Sequence, residues 1–438
     1  MSLIDILIFI VYFLTMLGVG VYFFRKNKSV DDYYVGGRSL GSWHIGLSVV
    51  ATDVGGGFSI GLGGLGFVMG ISGSWMLFTG LIGAWLSAVV LIPTIHRLSD
   101  KFKFFTFPQV FGHFFSPRVA LIAGIISAIG YIGFTSSQLL AGAKLASATF
   151  VEIDLLTALI IMGVIAVVYT GIGGLKAVIY TDTIQWIILM GGLILIGIPI
   201  SYHAIGGMDA IKASIGPEFL QLSNVSWQQL LNWGITIIPI WFVGMTLYQR
   251  IYASKSRKQA QKAWFIAGIF EWPLMAFMGV ILGLFSKIAF ENGMFANIGM
   301  GPGESIDAEM GLPILLNTVL PVGLMGLMLS AYFSAILSTA DSCLMAASGN
   351  VQTDIYEKIF KTRSDKKSQL IRSQIITLSI GTVALLLASY MTNVLSLMLY
   401  SYAFMVSGLF VPVLAALFTK KPNPAAAIFA MVIGGGTT

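Results

Sequence analysis

Apolar residues run along this chain in blocks of about twenty, separated by short polar stretches. As a helix rising about 1.5 Å per residue, such a block crosses a hydrocarbon core. Eleven complete spans are expected, at 3–24, 44–69, 74–97, 118–150, 155–171, 176–200, 230–252, 260–288, 311–349, 371–390 and 394–418. A twelfth block starts near Ala425 and runs to Thr438, too few residues to cross, so the chain is expected to end within a span. The pattern specifies an all-α integral membrane protein. Trp75, Trp227 and Trp233 fall near span ends, where indole rings anchor at the interface.

Composition agrees. Of 438 residues, 56% are hydrophobic and 10% charged, with mean hydropathy +0.87, against roughly 25% charged in soluble chains. Fifty glycines suit helices packed closely in lipid. The net charge of +6 does not point to nucleic acid, because the charges lie in loops between spans. Alternate loops hold 22 of the 25 lysines and arginines; only Lys144, Lys212 and Lys287 fall elsewhere. Those loops face the cytoplasm, which places the N-terminus outside a plasma membrane, as in a bacterial inner membrane. The first block is too long for a cleaved signal peptide, lacks a basic start and is followed by "RKNK". One cysteine, Cys343, excludes a disulfide framework, and His44, His96, His113 and His203 have no metal-ligand spacing.

Four acids lie well inside spans: Asp53, Asp182, Glu271 and Asp341. Each costs about 2.5–3.5 kcal/mol at the bilayer centre unless it faces a cavity, a partner or an ion. Counting rise per residue, Asp53, Asp182 and Asp341 fall about 9–17 Å from the inner edge, with Ser338 and Thr339 slightly deeper than Asp341. With no lysine or arginine expected at that level, the missing positive charge reads as a bound hard cation held by carboxylate, hydroxyl and carbonyl oxygens. Gly55, Gly56 and Gly57 in mid-span point to an unwound segment whose carbonyls are free for an ion, with a glycine packing seam as the alternative. Asp182 could instead cap or anchor near the interface, and Glu271 could be a neutral acid bonded to a nearby hydroxyl. "GLGGLG" at Gly61–Gly66 has no strand before it, so it is no dinucleotide fingerprint. Nor does any nucleophile–base pair or metal-ligand set suggest an enzyme.

Four ordered motifs carry a resemblance: "DDYYVGGRSLG" (31–41), "GGLKAVIYTDTIQ" (173–185), "YQRIYASKSRKQAQKA" (248–263) and "LSTADSCLMAASGNVQTDIY" (337–356). Through them the chain resembles the sodium:solute symporter family, which includes sodium/proline and sodium/glucose transporters. The resemblance implies a single transmembrane domain over residues 1–438 with a LeuT-type core of two inverted five-helix repeats. Repeat one would be 44–200 and repeat two 230–418, with an extra first helix at 3–24 and a partial one at 425–438. It implies a first sodium held by the carbonyls of Ala51, Val54 and Ala335 and the hydroxyls of Ser338 and Thr339. A second sodium site would draw on Asp182, Ser338, Asp341 and Ser342.

Solute would bind at the midplane between the broken helices. Asp53, Gly55, Gly56, Trp241, Met245 and Glu271 are the candidates, and Phe242 lies among them. An acid at 271 would suit an amine-bearing or zwitterionic solute. The helix-six segment "GITIIPIWFVGMTLYQR" lacks the proline expected close before its arginine in the proline branch. The expected activity is sodium-coupled import by alternating access, by a monomer whose partners are the solute and the bilayer. A proton-coupled symporter and a ligand-sensing receptor are the alternatives.

Overall fold

The computed structural model describes residues 2–26, 35–150, 153–173, 175–300, 305–360 and 366–438. Asp31–Tyr34 of the first motif and Gly174 of the second lie outside the described residues. Every regular element of the described chain is a helix, apart from one isolated bridge between Leu40 and Ser254. In hydrocarbon, backbone amides and carbonyls have no water to bond, and a helix satisfies them within its own segment. Leu7, Val11, Leu14, Ile160, Val164, Leu195, Ile375, Val383, Leu386 and Val411 all point outward. In water this coat would be an aggregation surface; here it faces lipid.

Helices occupy every expected block. Among the described residues, seven are long and apolar enough to cross, or eight counting the bent pair Trp227–Val243 and Met245–Ala253, against the eleven expected. Two expectations need correction. The 311–349 span is two helices, Ala308–Val319 and Leu324–Gly349. Leu320 before Pro321 is extended, as the proline ring demands of its predecessor, and Gly323 turns the chain at φ +90°. The Gly55–Gly57 triplet is not an unwound stretch either. Ser42–Met69 keeps helical bonding on both sides of one non-helical residue, Gly55, at φ +48°.

Leu324–Gly349 is the central helix, buried from Met325 almost without interruption to Gly349. Its serines, alanines and glycines let neighbours come close, and it packs on Pro117–Thr149, Ser42–Met69, Leu175–Gly192 and Leu3–Lys26. Its free N-terminal amides are served from another helix: Asp5 Oδ1 accepts from Gly323 N at 2.8 Å and Gly326 N at 2.9 Å. The second break falls at Gly244, whose extended backbone (ψ 112°) bends the pair by 43°. Tyr131 of Pro117–Thr149 steadies the restart, its hydroxyl accepting from Thr246 N at 3.0 Å. The two broken helices and the central helix thereby frame one interior.

Candidate functional site

At the first break, Thr339 Oγ1 lies 2.9 Å from Ala51 O and 3.1 Å from Ala335 O. One hydroxyl proton serves only one carbonyl at a time, so this buried point is richer in acceptors than in donors. Residue 55 must be glycine on two counts. Its φ is left-handed, and a Cβ would lie 2.9 Å from Thr339 Oγ1 and Cγ2 and 3.1 Å from Gln138 Oε1. Val54 and Gly56 flank the break in the same helix. Ser338, one residue before Thr339, donates its hydroxyl to Asp182 Oδ1, so its proton is directed away and its lone pairs stay open to a cation. Carbonyl and hydroxyl oxygens without a histidine or cysteine suit a hard ion such as sodium.

Asp182 and Ser342 do meet, as the motifs implied, but around a guanidinium. Arg250, wholly buried, places Nη2 3.7 Å from Asp182 Oδ2, 2.6 Å from Thr52 Oγ1 and 3.1 Å from Ser342 Oγ. Its Nε donates to Ser48 Oγ (3.1 Å) and Nη1 to Thr246 O (3.2 Å), while Ser48 Oγ donates to Asp182 Oδ2 at 2.5 Å. This overturns the expectation that no lysine or arginine reaches that level. Arg250 was counted as a loop charge; from the short helix after the Gly244 break it turns inward and brings a positive charge to Asp182. Asp341 is buried on the same central helix.

Asp53 and Glu271 form a buried acidic pair, with their carboxyl groups near each other. Tyr402 reaches Asp53 Oδ1 at 3.3 Å, whereas neither oxygen of Glu271 nor Asp53 Oδ2 receives a donor from any other side chain. Glu271 belongs to the Phe270–Met275 π-type segment, which breaks at Trp272, and it presses on Gly80, where a Cβ would collide with Oε2. Trp241, on Trp227–Val243, lies against Gly83, one turn on from Gly80 in Trp75–Val90, with its indole N–H unpartnered. Met245 is directed elsewhere: its sulfur accepts from Phe107 N at 3.0 Å.

A third cluster joins residues that the sequence reading did not connect. Lys144, fully buried, reaches Asp307 Oδ2 at 2.5 Å and Glu309 Oε2 at 2.6 Å. Glu309 also accepts from Val394 N and Leu395 N, both at 2.9 Å, at the start of Val394–Phe418. Gly64 faces Glu309 closely. Lys144 and Arg118 lie near opposite ends of one helix, about 40 Å apart by rise per residue.

The family model described as the sodium:solute symporter family matches residues 33–434. The chain belongs to that family. Its relatives include a high-affinity proline transporter of Bacillus subtilis (strain 168), 28% identical over 96% of this chain and 89% of that one. A sodium/proline symporter of Escherichia coli (strain K12) is 27% identical over 98% and 86%, and sodium/glucose cotransporter 1 of Oryctolagus cuniculus 27% over 98% and 70%. These are transporters rather than enzymes, and the coupling ion of the family is sodium. A solved Na+-coupled sialic acid symporter in a substrate-bound outward-open state superposes at a TM-score of 0.80, with 24% identity over 98% of this chain and 89% of that one. A nucleobase-cation-symport-1 family transporter in a closed conformation gives 0.57 at 16% identity, over 89% and 80%. The fold of this multi-pass membrane protein is therefore the LeuT type.

Proposed function

We propose that this sodium-coupled symporter imports a small amine-bearing or zwitterionic solute, with one sodium held at the Gly55 break. The observation that carries this reading is the meeting of Ala51 O, Ala335 O and Thr339 Oγ1 across two helices. The carbonyl of Val54 and the hydroxyl of Ser338 complete the proposed donor set. A sodium there ties Ser42–Met69 to Leu324–Gly349 and steadies the break that shapes the solute site. The Asp53–Glu271 pair supplies that site with carboxyl oxygens lacking donors, which an ammonium group, with up to three N–H, would satisfy. Proline, named for several relatives, carries an ammonium; glucose does not.

Each half-cycle opens one face. The Arg250 cluster closes the lysine- and arginine-rich face, which we assign to the cytoplasm, and the Lys144 cluster closes the other. One sodium moving inward gains about 2.3 kcal/mol per 100 mV before its concentration gradient is counted. We assign residues 44–200 and 230–418 to the two repeats, the N-terminus to the outside, and the working unit to the monomer.

The test is sodium-dependent uptake by the reconstituted protein across amino acids, amines, sugars and carboxylates. Ser338→Ala with Thr339→Ala should raise the sodium requirement at least tenfold. Glu271→Gln should weaken an amine solute at least tenfold while sodium binding, read by tryptophan fluorescence, shifts by less than about threefold. Intact sodium dependence in the first variant would remove the ion assignment. A carboxylate or sugar winning the panel would remove the solute assignment. Uptake that tracks pH and ignores sodium would favour proton coupling.

A further inference from the structure

Asp354 has no part in the transport scheme, yet it is a buried carboxyl on the floor of a cavity of about 450 Å³. The cavity lies on the lysine- and arginine-rich face, between the 102–117 turn and the Asn350–Tyr356 π-type segment. Thr106 Oγ1 donates to Asp354 Oδ1 at 3.0 Å, and Oδ2 has no partner. Gly124 admits the side chain, since a Cβ there would lie 2.8 Å from Asp354 Cβ. The rim has the opposite character. Lys103 and Lys358 are exposed cations, and Phe102, Phe104 and His113 form an aromatic lip, with Phe102 and Phe104 stacked at 5.6 Å and Phe102 and His113 at 4.6 Å.

A simple anion would meet the carboxyl below, and a simple cation would meet two lysines above. A ligand carrying both charges fits both levels: an ammonium donates to Asp354 Oδ2 while an anionic oxygen group faces the lysines. Pro117 and Ala120, in the first turn of a membrane helix, also line the cavity, so it opens at the level of lipid headgroups. Aromatic and lysine side chains are at home there. We propose that this cavity is a binding site for a phospholipid headgroup bearing a primary ammonium beside its phosphate, of the phosphatidylethanolamine kind, with Asp354 reading the ammonium. The same charges occur in soluble phosphoethanolamine; the first turn of Pro117–Thr149 in the wall favours the lipid.

The experiment titrates the full-length protein in detergent with phosphatidylethanolamine, its N-methyl and N,N-dimethyl forms and phosphatidylcholine, counting bound lipid by native mass spectrometry. Each methyl removes an N–H, so retention should fall along the series, by at least tenfold from end to end. Asp354→Asn keeps the Thr106 bond and should erase the discrimination. Lys103→Gln with Lys358→Gln should weaken all four lipids together. Equal retention of ethanolamine and choline lipids by the unaltered protein overturns the site, whatever the variants do. Undiminished discrimination in Asp354→Asn overturns the role of that residue. Soluble phosphoethanolamine displacing the lipid at comparable concentration overturns the lipid as its source. None of these outcomes depends on the transported solute or on sodium.

Discussion

The two buried charge clusters that we assign to opposite gates are built differently. The outer one sets a lysine, a compact point charge, between two carboxylates, and one of these, Asp307, keeps 39% of its side-chain surface exposed. The inner one sets an arginine against a single carboxylate at 3.7 Å, with neutral oxygens from Ser48, Thr52, Thr246 and Ser342 taking its other donors, and both charges are wholly dry. When the outer cluster parts, water can follow Asp307 in and solvate what is released. When the inner cluster parts, a buried guanidinium and a buried carboxylate lose each other before water reaches them, so more of the cost falls there. On the proposed assignment of faces we therefore expect the outer gate to be the easier one to open.

The largest expected effect comes from Arg250→Met. It strands Asp182 among hydroxyls with no cation, a loss of about 3–5 kcal/mol for a broken buried pair. Thermal unfolding in detergent should show a clear drop. The double variant with Asp182→Asn should recover more than half of it, because no unpaired charge remains. Arg250→Lys should recover less, since an ammonium cannot reach Ser48, Thr52, Thr246 and Ser342 with one rigid fork. If Arg250→Met cost no more than the outer substitution, the contrast between the clusters would collapse.

Lys144→Met should cost less, about 1–3 kcal/mol. Asp307 turns to water, and Glu309 keeps the backbone amides of Val394 and Leu395. The same change should loosen the outer face. A cysteine at position 395, beside Gly61 and the Glu309 carboxylate, should react with a membrane-impermeant thiol reagent about tenfold faster in Lys144→Met than in the parent, since about 1.4 kcal/mol of bias is tenfold in population. The native Cys343 is buried and serves as an internal control. Unchanged labelling would remove the gate role and leave Lys144 a purely structural charge.

The two clusters also show where sequence reading works and where it stops. Blocks of apolar residues specify helices because lipid demands internal backbone bonding, and those helices are where they were expected. A break inside a block is harder to place. Gly55 does break its helix, at a left-handed φ and close to Thr339, but Gly56 and Gly57 remain helical. Pro321 ends a span that hydropathy alone runs through. The convergence of Ala51, Ala335 and Thr339 was accessible through the family resemblance, not through hydropathy. Arg250 was not, because its partners Ser48 and Thr52 are 202 and 198 residues away and a flanking arginine resembles any loop charge. Lys144 and Glu309 were hidden for the same reason: burial at a span end is a property of what packs over it.

The smallest predicted effect separates the clusters without any mutation. Mobile ions screen a charge they can approach and leave a dry pair almost untouched, with a Debye length of about 30 Å at 0.01 M salt and about 3 Å at 1 M. Choline chloride, whose cation is too bulky for a sodium site, raises ionic strength without loading the symporter. Moving from low to high choline chloride should speed labelling of the position-395 cysteine by about two- to threefold, because Asp307 exposes one side of its pair to screening. A cysteine placed on the inner face, replacing Ser256 beside the Ser254–Leu40 bridge, should label at a rate that changes by less than about 1.5-fold. Lys144→Met should abolish the outer response, since the pair being screened is gone. An equal salt response on both faces would mean that water reaches Arg250 as readily as Asp307, and the asymmetry between the two gates would then have to come from the helices rather than from their charges.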